Sequence, residues 1–368
     1  MLPLVLAVCG DRGGANAVAP VLKALKAEGR VAVRALAYGA ACAVWADCQL
    51  AFTPLDGTAT EIRLDPATAL LVTGTSSPNP LEYEKAFIAA ARTQRIPSLA
   101  VLDFWSNYAQ RFSDAQGRLV YVPDRIAVMD EWARDEIIAC GIDGERIIVT
   151  GQPAFDDLGA VRTRFTSARR QALRTRWGIG ESEWMVLFVS QPLSLLFGSD
   201  ASNRLYPGFD AGQVLRALVT ALEQIASEAQ RKLTLVILPH PREQVEALHI
   251  ESRVIRTVVI TDHPPRELAL AADLVVGMTS TLLVEACYLG CVTCSLQPGL
   301  RWPDTFPTNR WGASRAVYRQ EDIRPAVEQL LLDESSRAVL QDRLATLTLD
   351  TGATRRVTQL IYQMIEGG

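Results

Sequence analysis

The chain has 368 residues, a net charge of −4 and an apolar fraction of 49%. That length favours two domains, and the weakly acidic balance excludes bulk attraction to nucleic acid or to an anionic membrane. No apolar run reaches the roughly 20 residues that a bilayer-spanning helix needs. The opening MLPLVLAVCGDRGG has no basic leader and runs into a glycine turn, so it reads as a buried first strand rather than a signal peptide, and a cytoplasmic protein is expected.

Strand and helix patterns alternate from the start. The first half reads as strand Leu4–Val8, helix Ala15–Glu28, strand Val31–Ala37, helix Ala40–Cys48 and strand Ala69–Val72. Helix Leu81–Gln94, strands Ser98–Leu102 and Arg125–Met129, helix Glu131–Cys140 and strand Ile147–Thr150 follow. A polar, arginine-rich connection then leads to strand Trp184–Val189, helix Ala211–Gln230, and strands Leu233–Leu238 and Val254–Ile260. Helix Pro265–Ala272, the short strand Leu274–Val276 with its helix, strand Val292–Leu296, and helices Glu321–Leu332, Ser335–Thr346 and Arg355–Ile365 complete the chain. Continuous apolar strands between helices imply parallel sheets covered on both faces. The fold class is therefore α/β, with two Rossmann-like doubly wound domains facing a cleft. Residues 1–155 form the first domain, 156–181 a linker, 182–350 the second domain, and 351–368 a helix that crosses back to the first. Within the linker, Arg162–Arg176 is either a solvated helix face or a peripheral contact for an anionic partner or membrane.

Ligands of doubly wound sheets bind beyond the carboxyl ends of the strands, and the polar clusters lie there. The first is Asp11-Arg12-Gly13-Gly14, whose glycines permit close backbone approach but lack the dinucleotide spacing. A bare connecting turn is the alternative. Thr73-Gly74-Thr75-Ser76-Ser77 and Gly151-Gln152-Pro153 end two further strands. Asp103 ends an otherwise apolar strand and is a candidate general base. Trp105, Asn107, Tyr108 and Arg111 follow it, as acceptor-facing groups or as a packed loop. Gln191-Pro192 and His240-Pro241 close two strands of the second half, and a histidine at such an end can donate to a phosphate. His249 and His263 have no such setting and are read as surface residues. Finally, Thr279-Ser280-Thr281 opens a helix closed by Gly290. A hydroxyl N-cap there either only caps the helix or offers a phosphate its unpaired N–H groups and positive dipole end.

The seven cysteines read as buried thiols. Cys287, Cys291 and Cys294 have the spacing of a radical iron–sulfur loop, but they fall in a helix, after its glycine and in a strand, so no metal site is expected.

Two segments carry a resemblance. DRIAVMDEWARDEIIACGIDGERIIVTGQPAFDDL resembles the end of the N-terminal domain of the GT-B superfamily, and VVGMTSTLLVEACYLGCV resembles its nucleotide-diphosphate helix. Both are similar to UDP-N-acetylglucosamine 2-epimerases and to GT-B glycosyltransferases. The epimerase T-G-T-R-P-E, H-V-E-A-G and H-R-R-E segments are replaced here by CGDRGGAN, VLDFWSNY and SQPLSLL. His240-Pro241 with the hydroxyl cluster is similar instead to bacterial sialyl-, polysialyl- and Kdo-type transferases and glycerophosphate polymerases. The resemblance implies a metal-independent glycosyltransferase of surface-glycan synthesis with no cofactor, whose substrate is a UDP- or CMP-linked sugar. Thr279, Ser280, Thr281, Gln191 and His240 would hold the donor phosphates, and Glu285 the ribose. Asp103 would activate an acceptor hydroxyl. A UDP-sugar epimerase or hydrolase, and a non-catalytic nucleotide-sugar binder, are the alternatives. The acceptor and the oligomeric state are not legible.

Overall fold

The computed structural model describes residues 2–56, 62–76, 82–198, 200, 202–347 and 351–367. Ser77, Leu81 and the domain limits at 1, 350 and 368 lie outside the described residues. The chain divides into two units, Met1–Asp157 with Asp350–Gly368, and Leu158–Leu349.

Unit 1 is built on seven parallel strands. They are β1 (Leu4–Cys9), β2 (Ala32–Ala37), β3 (Thr53–Pro54), β4 (Thr68–Thr73), β5 (Ser98–Val101), β6 (Arg125–Val128) and β7 (Ile147–Val149), in the order β3-β2-β1-β4-β5-β6-β7. Its helices are α1 (Arg12–Glu28), α2 (Ala40–Asp47), α3 (Tyr83–Gln94), α4 (Tyr108–Phe112) and α5 (Glu131–Ala139). All six residues of β1 are buried. This is the run of apolar side chains that a strand covered on both faces requires. The strand order reverses between β1 and β4, which are hydrogen-bonded neighbours.

Unit 2 starts with α6 (Leu158–Arg164) and α7 (Ser167–Arg176). Its strands are β8 (Trp184–Val189), β9 (Leu233–Leu238), β10 (Arg256–Val259), β11 (Leu274–Gly277), β12 (Thr293–Leu296) and β13 (Arg315–Val317). They lie parallel in the order β10-β9-β8-β11-β12-β13, with the reversal between β8 and β11. The helices are α8 (Leu193–Phe197), α9 (Ala211–Glu228), α10 (Pro265–Ala271), α11 (Thr281–Tyr288), α12 (Pro307–Arg310), α13 (Ile323–Leu332) and α14 (Glu334–Thr346). Val214, Leu218, Leu222 and Ile225 recur along one face of α9 at helical spacing and pack with Val327 and Leu330 of α13 against the sheet.

The last helix, α15 (Ala353–Glu366), belongs to unit 1. Val357, Leu360, Ile361 and Tyr362 join the core under β1 and α1. The Asp156 carboxylate accepts the N–H groups of Gly352, Ala353 and Thr354 at 2.9, 3.0 and 2.7 Å. One acid thus satisfies three of the donors that a helix start leaves unpaired.

The stretch read as a linker is two helices of unit 2. Three of its six arginines form ion pairs within the chain: Arg174 is buried and pairs with Asp273 at 3.1 Å, Arg170 pairs with the same carboxylate at 2.7 Å, and Arg169 pairs with Glu267 at 3.0 Å, while Arg162, Arg164 and Arg176 are exposed. His263, read as a surface residue, is packed edge-on against Trp177 and lies 3.2 Å from Glu267. Cys287, Cys291 and Cys294 face different neighbours. Cys287 lies against Thr293 and the Ala313 carbonyl, Cys291 against the Ala269 carbonyl, and Cys294 within the core. Burial pushes each of these thiols up to about 12. Among the described residues, no helix is long and apolar enough to cross a membrane.

Candidate functional site

Each unit carries polar residues beyond the strand ends around the point where its strand order reverses, the place where two adjacent connections leave in opposite directions and open a crevice. In unit 1 this point lies between β1 and β4. Asp11 caps α1, accepting the Gly14 N–H at 2.7 Å. Asp103 stands two residues after β5, and its Oδ1 accepts from Arg111 Nη1 at 2.5 Å and from the Thr75 hydroxyl at 3.3 Å. The Arg111 guanidinium is buried and also donates to the Thr75 and Ser106 carbonyls at 2.7 and 3.0 Å. Gln152 donates to the Asp103 carbonyl at 2.9 Å. The second carboxylate oxygen, Oδ2, faces the start of α1, where a methyl group on Gly13 would stand 1.8 Å from it. Only glycine leaves room for the carboxylate against that backbone.

The sequence singled out Asp11, Gly13, Gly14, Asp103 and Arg111, and the fold gathers them. Arg12 is exposed at the first position of α1. Asn107 takes a left-handed φ of 58° as the residue before α4. Trp105 and Tyr108, read as acceptor-facing groups, turn inward. Trp105 is buried and donates to Asp130 at 2.8 Å, and Tyr108 is buried and donates to Glu136 at 2.8 Å. Burial and the Glu136 acceptor raise the Tyr108 phenol above its ordinary range. These rings fasten the loop after β5 to α5.

Periodicity gave no sign of Glu84, in the first turn of α3. It is buried, and its carboxylate accepts the Gly10 N–H at 3.2 Å and the Ser76 N–H at 2.7 Å. Burial, then the charge of Asp11, pushes Glu84 up to about 8. The three carboxylates Asp11, Glu84 and Asp103 therefore surround the start of α1.

In unit 2 the reversal lies between β8 and β11, and the chemistry is different. Gln191 follows β8, and its side-chain amide spans to the end of β11. Its Oε1 accepts the Thr279 N–H at 2.7 Å, and its Nε2 lies 3.4 Å from the Thr279 hydroxyl. Ser280 caps α11, accepting the Leu282 N–H at 3.3 Å. Thr279 and Ser280 are half-buried, and Thr281 is exposed.

His240 follows β9. Its Nδ1 accepts the Arg242 N–H at 3.2 Å. With Nδ1 used as an acceptor, the neutral ring carries its proton on Nε2 and is a donor there. Glu243, another residue that the sequence did not single out, fixes this loop. It accepts from Ser190 at the end of β8 and from the His240 N–H, both at 2.8 Å.

Glu285, read as a ribose ligand, is engaged differently. Arg266 of α10 donates from Nε and Nη2 to its two oxygens, each at 3.0 Å. This bidentate pairing occupies the carboxylate.

No protein-family model matches the sequence, and no curated protein matches it. Solved structures do match in three dimensions. A UDP-GlcNAc 2-epimerase from Neisseria meningitidis bound to UDP-GlcNAc is 14% identical with a TM-score of 0.67, over 98% of this chain and 100% of that one. An S. aureus MnaA–UDP co-structure is 15% identical with a TM-score of 0.71, over 100% and 97%. A glycosyltransferase from Rickettsia africae is 11% identical with a TM-score of 0.64, over 99% of each chain. At these identities the likeness is one of fold. The chain has the two Rossmann-like domains of the GT-B fold, which epimerases and glycosyltransferases share.

Proposed function

We propose that the chain is an enzyme acting on a nucleotide-linked sugar, held through its phosphates by unit 2. The observation that carries this reading is the set of groups at the β8/β11 reversal. Backbone N–H groups at the start of α11, the hydroxyls of Thr279, Ser280 and Thr281 and the Gln191 amide, with His240 after the neighbouring β9, are hydrogen-bonding groups that suit a phosphate. At the β1/β4 reversal the helix start is already faced by carboxylates, which repel a diphosphate. The neighbours solved with UDP-GlcNAc and with UDP support a uridine donor.

The reaction that we favour is transfer of the sugar to an acceptor hydroxyl, with Asp103 as the base. Oδ2 is the oxygen for that role, because Arg111 and Thr75 hold Oδ1. His240 and the α11 start would stabilise the leaving phosphate without a metal. A second reading, epimerisation of a UDP-sugar, is favoured by the neighbours, among which UDP-GlcNAc 2-epimerases recur. Incubation with UDP-GlcNAc alone separates the two. An epimerised sugar supports the second reading, while UDP release that depends on added glycan acceptor supports transfer. If UDP binds neither the wild-type chain nor its variants, both readings fail.

A further inference from the structure

We propose that Glu84 is the positioning residue of the unit 1 cluster, a single carboxylate that ties the turn after β1 to the turn after β4. The geometry is that of a clamp. Gly10 precedes Asp11, and Ser76 follows Thr75, the residue that shares Asp103 with Arg111. Each oxygen of Glu84 takes the peptide N–H of one turn, so the acid sets the spacing between the two. The surrounding backbone is cut to fit it. A methyl group on Gly74 would stand 2.8 Å from Glu84 Oε1 and 3.0 Å from the Gly14 Cα. The clamp requires two acceptors on one side chain. An amide supplies one acceptor and one donor, so Glu84→Gln leaves one peptide N–H facing an NH2 group.

The groups that face Glu84 come from every element around it. Tyr38 after β2 has its hydroxyl 3.5 Å from Oε2, Cys9 ends β1, and Asp11 starts α1. Burial first, then the charge of Glu84, raises the Cys9 thiol and the Tyr38 phenol above their ordinary ranges, so both stay neutral where Glu84 titrates. Ionisation of Glu84 turns its two peptide contacts into charge-assisted bonds, which are shorter and stronger. The two contacts to the turns bearing Asp11 and Thr75 are therefore shorter above that titration, although the fold as a whole then loses the stability that the bound proton gave.

Only the kinetic half of the test rests on the proposed function. In full-length 15N-labelled protein, the amides of Gly10, Asp11, Thr75 and Ser76 are followed from pH 6 to 10. They should shift on one shared titration near 8 in the wild type and show none in Glu84→Gln. Separate titrations for the two turns, or the same titration in the variant, overturn the proposal. With UDP-GlcNAc as substrate, kcat should rise through that pH in the wild type. In Glu84→Gln it should be flat and at least about tenfold lower, with KM changed by less than about twofold. A wild-type kcat in the variant also overturns the proposal. If the wild type turns over no UDP-GlcNAc, with or without acceptor, the functional reading fails and the amide titration alone decides the role of Glu84. Should Glu84→Gln not fold, Glu84→Asp replaces it. The shorter acid reaches only one turn, and the two turns should then uncouple, whereas one titration still shared by both overturns the clamp.

Discussion

The two reversal points are built alike and charged differently. In each, one side chain ties the two strand ends together: Glu84 joins Gly10 after β1 to Ser76 after β4, and Gln191 after β8 accepts the Thr279 N–H after β11, while Glu243 fastens the end of β8 to the neighbouring β9 through Ser190 and His240. The difference lies in what stands around them. At β1/β4 the acids Asp11 and Asp103 share the start of α1 with a buried arginine, while at β8/β11 the start of α11 is lined by hydroxyls and an amide. The crevice of one unit is thus lined by carboxylates and that of the other by uncharged hydroxyl and amide groups, the contrast on which the proposed roles of acid–base centre and anion cradle rest. The helix also differs, since α1 follows the central strand β1, whereas α11 follows β11, the strand that answers to β4.

The sharpest way to break this comparison is to remove the acid that unit 1 depends on. Asp103→Ala strands the buried Arg111 cation and should cost roughly 3–5 kcal/mol in chemical denaturation. Asp103→Asn, which retains the shape and an acceptor, should cost well under half of that. Equal losses would show that the pair contributes shape rather than charge.

Next in size is the pH dependence of stability. The folded-state pKa of Glu84, about 8, stands above the ordinary 4.5 of a glutamate. Between these values the folded chain binds the extra proton, so this stabilisation is complete below about 4.5 and is lost as pH rises towards 8. The slope is at most about 1.4 kcal/mol per pH unit. Melting curves of the wild type against Glu84→Gln should converge as the pH rises through this window, and parallel curves would contradict the assignment.

The anion cradle is tested by binding. Ser280→Ala combined with His240→Ala should weaken UDP by about a hundredfold in calorimetry, since hydrogen bonds to charged groups contribute roughly 1.5–3 kcal/mol each. Unchanged affinity would sink the cradle. The smallest effect is expected at Glu285→Gln. Because Arg266 already occupies that carboxylate, UDP affinity should change by less than about threefold. A tenfold loss would restore the ribose role read from the sequence.

How much of this was legible follows from the range of the interactions. Alternation of apolar strands and helices is a local signal, and it located β8 and β9 to the residue. The hydroxyl start of α11 is local too, since a cap and its N–H partner lie two residues apart. Asp103 stood out because an acid ended an apolar run. Glu84 did not, because an acid in the first turn of a helix is ordinary until its partners, 74 and 8 residues away, are known. The pairing of Glu285 was hidden for the same reason. Its position one turn into α11 was visible, but its partner 19 residues earlier was not. Trp105 and Tyr108 carry polar tips that suit either a ligand or a neighbouring helix, and only the placement of Asp130 and Glu136 decides.

The course of the chain has a practical consequence. Unit 2 is one uninterrupted segment, whereas unit 1 is written in two pieces and closed by α15. The cut ends of unit 1 already meet, because Asp156 is hydrogen-bonded to Gly352, Ala353 and Thr354. The gene can therefore be treated as a host with a guest. Excising codons 158–349 and bridging the gap with a few glycines should leave a host that folds, and the guest can be expressed separately. Acid–base behaviour and nucleotide affinity would then be measured on two different proteins, each free of the other's signal.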